Sequence, residues 1–202
     1  MSILNVQQLL AQLYTDEKTL AEFLADRRAF CKGLSDTEAS FIEQIDGKQL
    51  EFFARSLRRK RASEAKKFLT MTASALGERF DEEFYRYSAT CIPGGVGKPM
   101  TDAMAFCEYL VANNQTTDPP LSEIARYEFL RHSLLFKLTR EKGPPVVCRT
   151  RLRKWPIFRL ARFAYNLPAL DGCYEIRENL RERSTLVLFA RVPGRLYGIW
   201  YW

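Results

Sequence analysis

The residues that could bind a phosphate group lie in the segment Gly94-Gly95-Val96-Gly97-Lys98. In a phosphate-binding P-loop, backbone N–H groups cradle the phosphates, while a lysine and a hydroxyl bind the outer phosphate and magnesium. Here Ile92 stands where the first glycine of the motif would be, and Pro99 replaces the hydroxyl residue. A helix rather than a strand is predicted before the segment. The pattern therefore favours a flexible turn.

The single histidine, His132, limits the chemistry that the chain can perform. A catalytic dyad with serine or cysteine, or a metal site made of several histidines, would have to be built around this one residue. His132 lies on a predicted helix four residues after Glu128, so the two side chains share one face of that helix. We interpret His132 as a structural or surface histidine, which could form a plain helix-surface pair with Glu128, and predict no catalytic residue in this chain.

The cysteines are too scattered to indicate a metal site or a disulfide framework. There are five of them, no two form a CxxC pair, and an odd number cannot pair completely within one chain. We interpret them as small buried thiols in a reducing cytoplasm. No stretch approaches the roughly 18 apolar residues of a membrane span, so no membrane partner is expected. The cysteines are Cys31, Cys91, Cys107, Cys148 and Cys173.

The excess of basic residues indicates an acidic partner. The formal net charge is +7, and basic residues are concentrated at 55–61, followed by Lys66 and Lys67, and at 140–162. In the second region Arg149, Arg151 and Arg153 alternate along a predicted strand, which places them on one face of a sheet. That face either contacts a partner or an acidic ligand or is simply solvated.

Apolar periodicity predicts helices over the first two-thirds of the chain. They cover residues 6–14, 16–25 after a cap at Thr15, a segment after Ser35, a long helix from Gly47, residues 73–87, a helix near Thr101 and a helix opened by Ser122. Ser35 and Glu38 form the S-x-x-E pattern of a capping box, in which each residue satisfies a free backbone N–H at the start of the helix.

After Pro145 the residues become β-branched, aromatic and alternating, which indicates strands at 146–152, 157–163, 185–192 and 196–202. Pro193-Gly194 would turn the last two strands into a hairpin. The fold class is therefore α+β, with a helical bundle over residues 1–143 and a small antiparallel sheet over residues 144–202. We expect the two regions to pack together as one unit.

The C-terminal strands suggest a surface that binds a peptide. An open edge there could accept a peptide as an added strand, with backbone hydrogen bonds giving affinity and side-chain pockets giving selectivity. An alternative is that Trp200, Tyr201 and Trp202 simply complete the core. The candidate peptide-binding residues are Leu186, Leu188, Arg191, Tyr197 and Trp200.

Three stretches of sequence resemble a known family. They are Leu13-Tyr14-Thr15 through Phe23-Leu24-Ala25-Asp26, then Phe53-Ala54-Arg55-Ser56-Leu57 with Arg59-Lys60-Arg61, and Ile124-Ala125-Arg126-Tyr127-Glu128. Together with the order of helices and sheet, they resemble the MbnC family, whose members accompany multinuclear iron oxidases in the biosynthesis of methanobactin-type peptides.

The resemblance implies a non-catalytic subunit in a heterodimer. The partner would be a TIM-barrel multinuclear iron oxidase, similar to MbnB, which binds the iron and converts cysteines of a precursor peptide, similar to MbnA, to oxazolone and thioamide groups. This chain would carry no cofactor of its own and would help to hold the leader part of the precursor.

A DNA-binding regulatory protein is the alternative hypothesis. Related partner proteins share a region described as DNA-binding, and the basic helix from Arg55 to Lys67 would then contact phosphates. The sequence has no recognisable recognition-helix motif, and acidic residues accompany the basic ones. We therefore favour the peptide-maturation partner and regard nucleic acid as the weaker candidate ligand.

Overall fold

The computed structural model describes residues 3–89, 91, 98–134, 137–139, 146–148, 157–173, 175–191 and 198–202. Most of this part of the chain is helical, and a small antiparallel sheet follows the helices, which confirms the α+β class. The helices are α1 (Ile3–Thr15), α2 (Glu17–Ala25), α3 (Arg27–Phe30), α4 (Asp36–Gln44), α5 (Gly47–Phe68), α6 (Thr70–Leu76), α7 (Arg79–Ser88), α8 (Lys98–Asn114), α9 (Pro119–Ser133) and α10 (Ile176–Asn179). The strands are β1 (Lys137–Thr139), β2 (Val146–Cys148), β3 (Ile157–Tyr165), β4 (Glu182–Arg191) and β5 (Gly198–Tyr201).

The chain forms two compact units whose boundaries cut through helices. The first unit comprises Met1–Ala62 and Asp81–Ile92, and the second comprises Ser63–Phe80 and Pro93–Trp202. This division differs from the predicted regions 1–143 and 144–202, which separate helices from sheet. The reason is that α8 and α9 belong with the strands: Tyr127 of α9 packs against the sheet residue Phe163, with ring centroids 5.6 Å apart.

The first unit is a helical cluster around a small apolar core. Leu13, Phe23 and Leu50 are buried in it, because the apolar positions of α1, α2 and α5 recur at helical spacing. The predicted capping box at the start of α4 is confirmed, with Ser35 and Glu38 each bonding the other's backbone N–H. The predicted cap at Thr15 is wrong, since the Asp16 carboxylate accepts the first N–H groups of α2 instead.

Two predicted helix boundaries in the second half of the bundle are also wrong. The stretch 73–87 is not one helix, because Gly77, with a φ of 57°, separates α6 from α7. A positive φ is easy for glycine and strained for other residues, so the helix stops there. The last predicted helix is opened by Asp118 rather than by Ser122, with two prolines at its first positions.

The strands form two antiparallel sheets. β1 pairs with β2, although the helix predicted to begin at Ser122 was expected to include Leu138. The larger sheet has the order β3-β4-β5, so β4 is its central strand. The turn predicted at Pro193-Gly194 lies outside the described residues, but β4 and β5 are antiparallel neighbours, as predicted. Among the helices in the described ranges, none combines the length and the apolar character that crossing a membrane requires.

Candidate peptide-binding surface

The side chains of the sheet formed by β3, β4 and β5 lie on two opposite faces. Because side chains alternate along a strand, residues that pair across strands lie on the same face. One cross-strand row consists of Leu160, Leu188 and Trp200. The next row in the same direction consists of Arg162 and Leu186, and Trp202 exchanges two backbone hydrogen bonds of 3.1 Å with Leu186. We call the side that carries these residues the outer face.

The opposite side, the inner face, is packed against α9. Tyr127, Phe163 and Phe189 form an aromatic triangle with ring centroids 5.5–6.4 Å apart, and all three side chains are buried. The Arg126 guanidinium lies 5.2 Å from the centroid of the Phe163 ring, and this cation–π contact anchors α9 to β3. The inner face is therefore part of the core of the second unit.

The outer face is equally apolar but exposed. Phe158 is 60% exposed, Leu160 63%, Trp200 49% and Trp202 66%. The Trp200 ring lies flat along its own strand, since a Cβ added at Gly198 would stand 2.3 Å from it. Apolar side chains grouped on one surface of a protein mark a site of interaction with another molecule.

The edges of this sheet differ in how open they are. At the β3 edge, the Glu123 carboxylate accepts the backbone N–H of Ala164 at 2.6 Å, and Arg126 donates to the carbonyl of Arg162 at 3.3 Å. Side chains of α9 thus occupy that edge. At the other edge, Trp202 bonds Leu186, so the alternating pattern of an antiparallel pair directs the N–H and C=O groups of Ile199 and Tyr201 away from β4.

The sequence-predicted peptide-binding residues are only partly brought together. Leu186, Leu188 and Trp200 share the outer face. They do not form an edge as a group, because the first two lie on the central strand. Arg191 belongs to the inner side, where its guanidinium donates to the carbonyl of Leu134 at 3.1 Å. Tyr197 lies outside the described residues, as do the candidate contact residues Arg149, Arg151 and Arg153.

Three further residues of this surface were not predicted. Phe158 and Leu160 complete the outer face on β3. Their places in the sequence could have identified them, because they are two residues apart and out of step with Ala161 and Phe163, which face the other side. Trp202 was interpreted as a residue of either core or interface. The alternative that the C-terminal aromatic residues complete the core is wrong, because Trp200, Tyr201 and Trp202 are all exposed.

The side chains of Glu128 and His132 are both buried, so the structural interpretation of His132 is confirmed and a helix-surface pair with Glu128 is wrong. The Glu128 carboxylate accepts the backbone N–H groups of Met71 and Thr72, each at 2.9 Å, at the start of α6. His132 Nε2 donates to the carbonyl of Phe68, at the end of α5, over 2.7 Å. Together the two side chains clamp the junction between α5 and α6.

Burial also sets the protonation of this clamp. Desolvation raises the pKa of Glu128 to about 7, although the two backbone N–H groups act in the opposite direction. Burial lowers the pKa of His132, which favours the neutral ring that donates from one nitrogen. His132, the one residue around which a catalytic dyad or a histidine metal site could have been built, thus makes a structural contact with the backbone.

The cysteines differ in their burial. Cys107 is fully buried, as expected of a small apolar side chain, whereas Cys173 is exposed, and the expectation of a buried thiol is wrong there. Within the described part of the chain, no three histidine, cysteine or acidic side chains come together in an arrangement that could hold a metal ion.

The basic helix α5 uses part of its charge in contacts within the protein. Arg58 forms an ion pair of 2.8 Å with Glu17 and is largely buried, and Lys67 pairs with Glu64 at 2.6 Å. Three of the exposed basic residues of the helix, Arg55, Arg59 and Lys60, share its surface with apolar residues. These apolar residues are Phe52, Phe53 and Leu57. We call these six residues the α5 surface.

Part of the chain is similar to a known protein family. Residues 43–112, about a third of the chain, are similar to the family described as "SCO6045-like, C-terminal domain". The matched segment contains α5, α6 and α7 and most of α8, and it does not reach the sheet. No curated protein matches the chain.

Proposed function

We propose that this protein is a non-catalytic partner subunit of an iron-dependent peptide-modifying oxidase and that it holds the leader of the precursor peptide on its C-terminal sheet. The oxidase, a TIM-barrel enzyme of the MbnB kind, supplies the iron and converts precursor cysteines to oxazolone and thioamide groups. The chain works in the cytoplasm, beside the enzyme and the newly made precursor. This proposal extends the resemblance of the sequence to the MbnC family.

The observation that carries the proposal is an exposed apolar sheet face next to the edge of β5, with which no further strand pairs in the described part of the chain. A peptide that adds to β5 forms backbone hydrogen bonds with Ile199 and Tyr201 and lays alternate side chains beside Trp200 and Trp202. Such binding depends mainly on the backbone of the peptide, so it suits a leader that must be held while chemistry takes place elsewhere along the chain.

The α5 surface supports the second part of the proposal, a protein partner. It combines three exposed apolar side chains with three exposed cations, and we assign it to the contact with the oxidase.

DNA binding is less well supported. Of the basic residues on α5, Arg58 is held by Glu17 and Lys67 by Glu64. The exposed cations of the α5 surface share it with Phe52, Phe53 and Leu57, whereas a surface that binds phosphates is strongly polar and basic. A duplex titration at low and high salt measures this alternative directly, and affinity that falls steeply with salt would favour it.

Leader binding is tested by changing one backbone group at the open edge. Tyr201→Pro removes an N–H that points away from β4, and the matched control Tyr201→Ala removes the same ring while keeping the N–H. By fluorescence anisotropy with the labelled leader of the proposed MbnA-like precursor, we expect the proline variant to bind about fivefold to tenfold more weakly than the alanine variant. Equal affinity of two folded variants would argue against strand addition at β5.

The partner role is tested by co-expression with an iron oxidase of the MbnB kind, the partner that the proposal assigns to this chain. We expect a stoichiometric complex that keeps its iron, and we expect Phe52→Asp to prevent its formation, because it places a charge on the apolar part of the α5 surface. The control Phe41→Asp changes another exposed phenylalanine of the first unit, on α4. Absence of a complex with the unmodified chain would refute the partner role.

A further inference from the structure

A small cavity lies beside the open edge of β5, on the inner side of the sheet. Its volume is about 110 Å³, which suits one side chain rather than a folded segment. Pro168 and Ala169 form an apolar wall, Arg183, Thr185 and Tyr201 line the cavity from the strands, and Asn166 and Trp202 complete its lining. No acidic residue is among those that line it.

The polar groups around the cavity are donors of hydrogen bonds. Asn166 accepts the backbone N–H of Arg181 through Oδ1 at 2.8 Å, which leaves its Nδ2 amide as a donor. Arg183 is exposed, and its guanidinium forms no ion pair with any carboxylate in the described ranges of the chain. The Tyr201 hydroxyl is a third donor. A cavity with several donors, one of them an unpaired cation, is complementary to a carboxylate.

The geometry of strand addition brings a peptide side chain to this cavity. Tyr201 pairs with Val187, so its side chain belongs to the inner side, opposite to that of Trp200. A strand that adds to β5 therefore directs every second side chain to the side of the sheet that carries Tyr201, and the side chains between them to the side that carries Trp200. One position of the bound peptide thus faces Arg183, while its two neighbours face the apolar outer surface.

We propose that Arg183 makes this edge selective for a leader segment in which an aspartate or glutamate is flanked on both sides by apolar residues. The acidic side chain enters the cavity and pairs with the Arg183 guanidinium, and the flanking side chains pack on Trp200 and Trp202. This inference rests on the proposed function, because it names the peptide that the open edge of β5 recognises.

The test is a set of double-mutant cycles between leader and protein. Each acidic residue of the labelled leader is replaced in turn by its amide, and affinity is measured by fluorescence anisotropy for the unmodified protein, Arg183→Gln and the control Arg159→Gln. Arg159 is an exposed arginine of β3, so its loss changes the net charge equally. We expect one acidic position to lose about tenfold in affinity with the unmodified protein and with the control, and nothing further with Arg183→Gln.

A charge exchange gives a second readout. Arg183→Glu weakens binding of the natural leader, and a leader with lysine at the sensitive acidic position restores it. If the leader binds but no acidic position is coupled to Arg183, or if the leader has no acidic residue, the selectivity is overturned and the proposed function remains. If the leader does not bind the unmodified protein at all, the proposed function itself fails.

Discussion

The two faces of the C-terminal sheet have similar residues and opposite surroundings. The inner face buries Phe163 and Phe189 under Tyr127, whereas the outer face leaves Phe158 and Leu160 in contact with water. The difference comes from α9, which packs on one side only. A strand whose two faces are both apolar is usually covered on both sides. The outer side is therefore the one that the proposed function assigns to the leader peptide.

The largest expected effect separates the two faces by their contribution to stability. Phe163→Ala removes a fully buried ring and should lower the free energy of unfolding by about 3–5 kcal/mol. Phe158→Ala removes the same ring from the same strand on the exposed face and should cost less than about 1 kcal/mol. Urea unfolding of both variants gives the comparison. Similar losses for both would mean that the outer face is also part of the core.

The next effect concerns Glu128 and His132, which clamp α9 to the junction of α5 and α6. Because α9 covers the inner face of the sheet, this clamp also holds that cover in place. Glu128 has a pKa of about 7 in the folded protein, above its ordinary value, so its stabilising contribution is complete below about pH 4.5 and is lost as pH rises through 7. The loss amounts to about 3 kcal/mol at most. His132, whose pKa is lowered, acts in the opposite sense, because its contribution is present above pH 6.5 and is lost as pH falls.

Glu128→Gln isolates this contribution. The variant keeps the shape of the side chain but cannot ionise, so its free energy of unfolding should lack the decline between pH 5 and 8 that the Glu128 carboxylate imposes on the unmodified protein. Chemical unfolding of both proteins across this range provides the measurement. Parallel curves would show that Glu128 has an ordinary pKa in the folded state.

The smallest expected effect on stability, and the clearest effect on binding, belongs to Trp200. Trp200→Ala should change the free energy of unfolding by less than about 1 kcal/mol, since about half of the side chain is exposed. It should weaken leader binding about thirtyfold, as expected for an aromatic residue that anchors an interface. Anisotropy and thermal unfolding of the same sample separate the two effects. A large loss of stability without loss of binding would reverse the roles of the two faces.

Features that depend on neighbouring residues could be predicted from the sequence. The capping box of Ser35 and Glu38, the long helix α5 and the change from helices to strands all follow from local pattern, and the structure confirms them. The break at Gly77 was missed because an isolated glycine within a helical pattern is often tolerated.

The candidate site could be predicted only in part, because it depends on contacts between distant segments. The alternation in β4 identified Leu186 and Leu188, but nothing local indicates that this strand is central or that α9 covers the opposite face. The burial of Glu128 was missed for the same reason, since its hydrogen-bond partners lie 56 and 57 residues earlier in the chain.

The clamp on α6 also has a consequence for the order of folding. This helix has seven residues and no side-chain cap from its own N-cap residue, Leu69, and a helix of that length is unstable in isolation. Its first N–H groups are bonded by a carboxylate of α9, so α6 becomes stable only after a long loop has closed. Its amide protons therefore become protected from hydrogen exchange only together with those of α9, as one cooperative unit.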